Sequence, residues 1–332
     1  MARVAVIGAG AWGSALACVA RRAGNQTILW ARDPALAEAI NESGENARYL
    51  GGIPLAEGIA ATADLAMAVR KVDLLLLAIP AQHMRVVTAA MKPLDGTPAA
   101  ICAKGVELGT QALMSEILRE TLPAVRQAVL SGPTFAAEVA RGLPTAVTVA
   151  ALESQVSALF IEALGAARFR PYASDDPLGA EIGGAVKNVL AIACGITAGR
   201  QFGDNARAAL ITRGMAEIMR LAVAMGGRAQ TLMGLSGLGD LTLTCNAMQS
   251  RNFSLGVALG EGRSLTDILA GRRAVTEGVY SASAVTALAR RRGVAMPICD
   301  AVDQVVNHSA DVADTITALL NRPFARESSD AD

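Results

Sequence analysis

Histidine and cysteine are scarce in this sequence, and their spacing does not suit a metal site. The chain of 332 residues has two histidines and five cysteines, and no two cysteines form a C-x-x-C pair. This pattern argues against a zinc site and a disulfide framework, and it is typical of a reducing cytoplasm. We therefore expect a cytoplasmic protein with no bound metal.

An excess of charge of either sign is also missing, and so are long hydrophobic runs. Thirty Lys and Arg residues balance thirty Asp and Glu residues, so no strong field would hold nucleic acid or an anionic membrane. The most apolar stretch, Leu74–Ile79, is far shorter than a membrane span. Glycines break the apolar N-terminus, which argues against a signal peptide. We expect neither nucleic-acid binding nor membrane insertion, and any anionic ligand must be bound at a local site.

The length of the chain and its 52% hydrophobic content favour two globular domains. The first half alternates short apolar strands with helical stretches, which predicts a doubly wound α/β domain with a parallel sheet. The predicted strands are Arg3–Ile7, Thr27–Trp30, Asp73–Ile79, Ala99–Ala103, Ala128–Leu130 and Ala146–Ala150.

Beyond about Ser174 the pattern is helical, as in Ala180–Ala198 and Ala206–Met225. Turn-forming residues at 173–179 mark the domain boundary. We therefore predict a Rossmann-type domain over 1–178, an all-α substrate and catalytic domain over 179–325, and a disordered tail over 326–332. We expect the active site in the cleft between the domains.

A glycine-rich loop follows the first predicted strand. Its residues, Gly8-Ala9-Gly10-Ala11-Trp12-Gly13, match G-x-G-x-x-G and open a predicted helix, as dinucleotide binding requires. Gly8 permits the tight turn, Gly10 lets the backbone approach a pyrophosphate, and Gly13 lets helix and strand pack closely. A glycine-rich turn without a ligand is the alternative.

The end of the second strand bears on the choice between NAD and NADP. Arg32 could meet the 2′-phosphate of NADP, with Asp33 left on the solvent side; a solvated surface arginine is the alternative. We interpret the cofactor as NADP-compatible, with NAD not excluded.

Lysine is rare among the basic residues. The four lysines are Lys71, Lys92, Lys104 and Lys187. Lysine, unlike arginine, can give up its proton once its surroundings lower its pKa. Lys187 lies in an apolar helical stretch with no carboxylate close along the chain, so it is a candidate proton donor for carbonyl reduction; a lysine that reaches solvent from the helix is the alternative. Lys104 follows a predicted strand at its carboxyl end, where open α/β sheets bind ligands, although a plain loop lysine would look the same.

An anion site is predicted in the helical half. Ser250-Arg251-Asn252 precedes a periodic stretch, so a hydroxyl, a guanidinium and helix amides could converge on one phosphate; an ordinary capped helix is the alternative. Upstream, Asp240 follows a glycine-broken turn. Its carboxylate could accept hydrogen bonds from polyol hydroxyls or orient the lysine.

These segments together resemble the bacterial-type NAD(P)-dependent glycerol-3-phosphate dehydrogenase family over essentially the whole chain. The resemblance is carried by GAGAWGSALA (8–17), AKGVE (103–107), SGPTFAAEVARGLPTA (131–146), GGAVKNVLAIACGI (183–196), NARAALITRG (205–214), GLGDLTLTC (237–245) and QSRN (249–252). Ala11 stands where many members have serine, and Pro80-Ala81 replaces the common Pro-Ser.

The resemblance implies an enzyme that reduces dihydroxyacetone phosphate to sn-glycerol 3-phosphate with NAD(P)H and supplies phospholipid synthesis. It implies that Lys187 is the proton donor and acceptor. Residues implied around the substrate are Lys104, Gly132, Thr134, Lys187, Asp240, Ser250, Arg251 and Asn252. Those implied around the cofactor, besides the loop glycines, are Trp12, Arg32, Lys104, Ala136, Arg251, Val275 and Glu277. A homodimer is compatible with the sequence.

Two other functions would share part of this pattern. A related two-domain dehydrogenase of the 6-phosphogluconate or ketopantoate type would share the glycine loop and a helical lysine, but it would not account for QSRN and GLGDLTLTC together. A non-catalytic NAD(P)-binding sensor would not need Lys187, Asp240 and Arg251.

Overall fold

The structure of the chain is a computed structural model that describes residues 1–91, 94–271 and 276–324. The chain forms two compact units. The first comprises Met1–Lys104 and Ala112–Glu181, and the second comprises Gly105–Gln111 and the chain from Ile182 onward. The domain boundary after residue 178 stays a prediction, and the predicted tail over 326–332 lies outside the described residues.

The first unit is built on one sheet, which within the described residues has eight strands. They are β1 (Arg3–Ile7), β2 (Gln26–Trp30), β3 (Ile59–Thr62), β4 (Leu74–Leu77), β5 (Pro98–Ile101), β6 (Arg126–Ser131), β7 (Thr145–Ala150) and β8 (Phe169–Ser174). Their order is β3-β2-β1-β4-β5-β6-β7-β8. Neighbouring strands are parallel except β6 and β7, which are antiparallel. The Rossmann-type prediction is confirmed, and this one antiparallel pair departs from the expected parallel sheet.

Helices cover both faces of this sheet. They are α1 (Ala11–Arg22), α2 (Pro34–Ser43), α3 (Ala47–Leu50), α4 (Leu65–Ala68), α5 (Met84–Ala89), α6 (Met114–Thr121), α7 (Ala136–Ala140) and α8 (Ser154–Leu164). Val4 and Val6 of β1 share an apolar layer with Leu16 of α1. Ala5 and Ile7 share the opposite layer with Ile117 of α6. A strand covered on both faces is apolar throughout, which is why a central strand such as β4 lacks alternation.

From residue 177 onward the described chain is helical, as predicted. The helices are α9 (Pro177–Gly199), α10 (Gly203–Ala224), α11 (Ala229–Leu232), α12 (Asp240–Cys245), α13 (Arg251–Gly260), α14 (Leu265–Ala270), α15 (Glu277–Arg291), α16 (Pro297–Asn307) and α17 (Val312–Leu320). A π-helical turn, Leu235–Gly239, runs directly into α12.

Helix α9 is the most apolar long element. With 23 residues, α9 is long and apolar enough to cross a bilayer, and no other helix among the described residues meets that test. Most of its most apolar window is buried inside the protein, as in the core helix of a globular domain. The sequence predicts this helix over 180–198, but the expectation that the most apolar stretch of the chain is the short segment 74–79 is wrong, because α9 is both longer and apolar.

Helices α9 and α13 touch backbone to backbone. A Cβ on Gly195 would lie 2.1 Å from the carbonyl oxygen of Phe253, and one on Gly256 would lie 2.1 Å from that of Ile192. One turn further along, Gly199 and Gly260 repeat this contact. Only glycine lets two helices approach so closely, because any side chain would have to occupy the space of the opposite backbone.

Candidate active site

The three glycines of the first loop have different surroundings. Gly8 has φ +115°, and a Cβ there would lie 2.5 Å from the carbonyl oxygen of Ala78. A Cβ on Gly13 would lie 1.8 Å from the carbonyl oxygen of Gly8, so this glycine lets α1 pack against the turn. A Cβ on Gly10 would meet nothing within 4 Å. Of the three glycines, Gly10 is therefore the one with free space beside its backbone, where a ligand could lie.

The loop fits a dinucleotide cofactor in two further respects. Helix α1 begins directly after Gly10, so its amide groups can face a pyrophosphate. The indole Nε1–H of Trp12 is buried and has no hydrogen-bond acceptor among the described residues. A buried donor without an acceptor is unfavourable unless a ligand or water supplies one.

At the end of β2, Arg32 is exposed, as its predicted contact with a cofactor phosphate requires. Asp33 has a defined role. Its Oδ1 accepts a hydrogen bond from the backbone N–H of Ala35 at the start of α2, and its Oδ2 pairs with Arg48 at 2.7 Å. The hydrogen bond from Arg48 lowers the pKa of the Asp33 carboxyl. Asp33 keeps 39% of its side chain exposed, so it does face solvent, but both of its carboxylate oxygens already accept hydrogen bonds.

A second group of predicted residues lies in the first unit, beyond the carboxyl ends of β5 and β6. Lys104 Nζ donates to the carbonyl oxygen of Gly132 over 3.3 Å, and the Thr134 hydroxyl donates to the same oxygen over 3.2 Å. Ala136 begins α7 two residues later. The structure thus brings Lys104, Gly132 and Thr134 together at the edge where open α/β sheets bind ligands.

In the second unit, Lys187 is buried in α9 and forms an ion pair with Asp240. Its Nζ also lies 3.0 Å from Thr244 Oγ1. The sequence showed no carboxylate close to Lys187 along the chain, but the fold supplies one 53 residues away. Of the two roles considered for Asp240, this contact corresponds to orienting the lysine.

Local structure explains why Asp240 and Thr244 face the same lysine. Asp240 is the first residue of α12 and Thr244 lies one helical turn later, so their side chains share a face. The next residue, Cys245, is a buried thiol beside this group. A hydrogen bond with Cys194, together with burial, raises the pKa of Cys245 well above its ordinary value, which keeps the thiol neutral. Lys187 and Asp240 therefore supply the charges of this cluster.

A buried chain of amides connects the residue after Lys187 to α15. Asn252 Nδ2 donates to Asn188 Oδ1 over 2.8 Å, and Asn252 Oδ1 accepts from the backbone N–H of Gly278 over 3.0 Å. Glu277 is the first residue of α15, immediately before Gly278. Asn252 thus links α9 to the first turn of α15, in which Glu277 precedes Gly278. Val275 lies outside the described residues.

The Ser250-Arg251-Asn252 segment forms the start of α13. Ser250 caps the helix by accepting from the N–H of Phe253 over 3.2 Å, and Arg251 is exposed at the first position. The capped-helix interpretation is therefore correct for Ser250. It is compatible with phosphate binding, since the exposed guanidinium stands at a helix N-terminus.

Two residues at these sites were not singled out from the sequence. Thr244 carried a signal in its spacing of four from Asp240. Asn46 is fully buried, and its amide donates to the carbonyl oxygen of Ala9 in the glycine loop over 2.9 Å. Nothing in the local sequence indicates that contact, because the two residues lie 37 positions apart.

Comparison with known proteins agrees with this geometry. The family model described as the NAD-dependent glycerol-3-phosphate dehydrogenase N-terminus matches residues 3–157, and the corresponding C-terminus model matches residues 176–317. A glycerol-3-phosphate dehydrogenase (NAD(P)+) of Parvibaculum lavamentivorans is 56% identical over 327 residues, which is 98% of each chain. The enzyme of the same name from Rhodospirillum rubrum is 56% identical over 326 residues, 98% of this chain and 93% of that one.

Among solved structures, the crystal structure of glycerol-3-phosphate dehydrogenase from Coxiella burnetii is 41% identical and superposes with a TM-score of 0.93. The match covers 97% of this chain and 99% of that chain. Both the glycine-loop half and the lysine-bearing half are thus matched within one family, which removes the ketopantoate and 6-phosphogluconate alternatives. The chain belongs to the NAD(P)-dependent glycerol-3-phosphate dehydrogenase family.

Proposed function

We propose that this enzyme reduces dihydroxyacetone phosphate to sn-glycerol 3-phosphate with NAD(P)H, and that Lys187 transfers the proton. The observation that carries the proposal is the buried Lys187, whose ammonium group is held by Asp240 and Thr244. Burying a charged lysine costs free energy unless the charge is paired. A dehydrogenase that reduces a carbonyl needs a proton donor beside the carbonyl oxygen, and a buried, paired lysine can supply that proton.

The first unit would bind the cofactor. The open backbone at Gly10 and the N-terminus of α1 support a pyrophosphate position, and the unpartnered indole of Trp12 offers a further donor. The reduced nicotinamide supplies the hydride when it is bound. The further residues proposed to contact the cofactor are Arg32, Lys104, Ala136, Arg251, Val275 and Glu277.

Lys187 would act on the carbonyl oxygen of the substrate. Hydride addition to the carbonyl carbon leaves negative charge on this oxygen, and a proton from the ammonium group neutralises it. In the reverse direction the neutral amine takes the hydroxyl proton. Asp240 and Thr244 restrict the position of Nζ, so the donor does not have to be ordered during the reaction.

The phosphate of the substrate needs a separate anchor. Arg251, exposed at the start of the Ser250-capped helix α13, has both a fork of donors and helix amides beside it. The remaining proposed contacts to the substrate are made by Lys104, Gly132, Thr134 and Asn252. The product would supply glycerophospholipid synthesis in the cytoplasm.

The test is an assay of NAD(P)H oxidation with dihydroxyacetone phosphate, run with both cofactors. We expect turnover that depends on dihydroxyacetone phosphate and is absent with ketopantoate. Binding of NAD(P)H without turnover of dihydroxyacetone phosphate would contradict the proposal and favour a non-catalytic NAD(P) sensor.

A further inference from the structure

Arg48 is an exposed arginine that the proposed reaction has not used. It lies in the short helix α3, and its guanidinium is 2.7 Å from Asp33 Oδ2 at the end of β2. Both side chains are exposed over more than a third of their surface, 48% for Arg48 and 39% for Asp33. Exposed ion pairs contribute little to stability, so stability alone gives a weak reason for this arrangement.

The position of Arg48 is fixed relative to the glycine loop. Asn46 caps α3 by accepting from the N–H of Tyr49, and it is fully buried. Its Nδ2 donates to the carbonyl oxygen of Ala9 over 2.9 Å and to Ser14 Oγ over 2.8 Å. The helix that carries Arg48 is therefore attached directly to the loop that would bind the pyrophosphate.

The charges at the end of β2 favour a phosphate over a ribose hydroxyl. Asp33 is the carboxylate available there, and each of its oxygens already accepts a hydrogen bond, from Ala35 and from Arg48. Together, Arg32, Arg48 and Asp33 carry two positive charges and one negative, a net charge of +1. A phosphate monoester carries about −1.5 to −2 near neutral pH, so it complements this group, and a neutral hydroxyl does not.

We infer that Arg48 is a second ligand of the 2′-phosphate of NADP, acting with Arg32, and that Asp33 positions its guanidinium. The inference rests on the proposed binding of the cofactor at the glycine loop. The preference for NADP over NAD would then depend on two arginines, Arg32 after strand β2 and Arg48 in helix α3. Arginine suits this role because its fork of donors matches phosphate oxygens.

Binding of cofactor fragments tests this role without the reaction. The dissociation constants of 2′,5′-ADP and 5′-AMP are measured by calorimetry for the wild type and for Arg48→Ala, and those of NADPH and NADH by fluorescence quenching. We expect Arg48→Ala to weaken 2′,5′-ADP and NADPH by about ten- to a hundredfold, the loss of a charged hydrogen bond, and to leave 5′-AMP and NADH within about twofold.

Arg126→Ala is the matched control, because Arg126 is an arginine of the same unit paired at 2.8 Å with an exposed carboxylate, that of Glu153. It should change none of the four constants. Equal losses for the 2′-phosphorylated and unphosphorylated ligands, or no loss with Arg48→Ala, would overturn the inference. Because 2′,5′-ADP has no nicotinamide, Arg48-dependent binding would stand even if dihydroxyacetone phosphate were not a substrate, and the two proposals can fail separately.

Discussion

Lys187 has two functions that a variant must distinguish: it is the proposed proton donor, and it neutralises the buried carboxylate of Asp240. The side chain of Asp240 is fully buried and that of Lys187 is 8% exposed. Replacing the lysine by an apolar residue would leave the buried carboxylate without its cation, which costs about 3–5 kcal/mol of stability. Loss of activity in Lys187→Met would therefore mix unfolding with loss of the proton donor. A variant that keeps the positive charge is more informative.

Lys187→Arg should lower kcat by about 10² to 10⁴, because the guanidinium keeps its proton at neutral pH while it can still pair with Asp240. NADPH affinity and the melting temperature should stay near the wild-type values. Steady-state kinetics, fluorescence titration and thermal melting measure the three quantities. An arginine variant that retained most of its kcat would show that Lys187 supplies only charge.

Gly10→Val should abolish NADPH binding and leave the fold intact. Gly10 has φ −73° and ψ 179°, which a β-branched residue adopts readily, and a Cβ there meets nothing within 4 Å in the protein. The valine side chain would instead occupy the space of the pyrophosphate. Fluorescence quenching by NADPH measures the loss, and circular dichroism measures the fold.

Gly13→Val is the contrasting variant, since its Cβ would lie 1.8 Å from the Gly8 carbonyl oxygen and should destabilise the protein itself. Normal quenching by NADPH in a folded Gly10→Val protein would place the cofactor elsewhere.

The contact between α10 and α16 depends on a buried carboxylate. Glu217 of α10 is 1% exposed and accepts hydrogen bonds from the backbone N–H groups of Ile298 at 2.7 Å and Cys299 at 3.2 Å, in the first turn of α16. Burial raises the pKa of Glu217 to about 7, although these hydrogen bonds and Arg220 oppose the shift. One helix thus satisfies the N-terminal amides of another with a group that titrates near neutrality.

This raised pKa predicts a specific dependence of stability on pH. The folded protein holds the Glu217 proton more tightly than the unfolded chain, whose carboxyl has an ordinary value of 4.5. The stabilising contribution is therefore complete below pH 4.5 and is lost as the pH rises towards 7. Between pH 5 and pH 8 the free energy of unfolding should fall by up to about 2–3 kcal/mol from this group.

Glu217→Gln should remove most of that fall, because an amide does not titrate in this range. Urea unfolding at several pH values between 5 and 8 measures it, with Glu153→Gln as the control at an exposed glutamate. If the wild type and Glu217→Gln lost stability in parallel, Glu217 would not be the titrating group.

Across the whole chain, the sequence predicts those elements whose residues are apolar and uninterrupted. Strands β1 and β4 and helix α9 were placed within a few residues of their observed bounds. Strand β3, Ile59–Thr62, was missed because it is short and half alanine. Strand β8 was missed because it lies at the sheet edge, is largely exposed and contains Pro171, so it resembles a loop. Periodicity carries no strand direction, so the antiparallel pairing of β6 and β7 could not be predicted.

The residue types of the site were predictable, whereas the pairing of Asp240 with Lys187 was predicted only as one of two alternatives and the contact of Asn46 with Ala9 was not predicted. A buried lysine, a carboxylate after a glycine-broken turn and a serine before a helix each stand out along the chain. That Asp240 contacts Lys187 and that Asn46 holds Ala9 depends on how distant segments meet. Such contacts are set by packing of the whole unit, about which local patterns carry little information.

The glycine contact between α9 and α13 has a consequence for how the second unit folds. Each glycine inside a helix lowers its intrinsic helical preference by about 1 kcal/mol relative to alanine, and α9 contains five of them. An isolated α9 would therefore be a poor helix in water, and the ten-residue α13 is too short to be stable alone. Each helix is stabilised by its contact with the other. The glycines thus make the isolated helix less stable and the pair of helices more cooperative, so the helix that carries Lys187 depends on α13 for part of its stability.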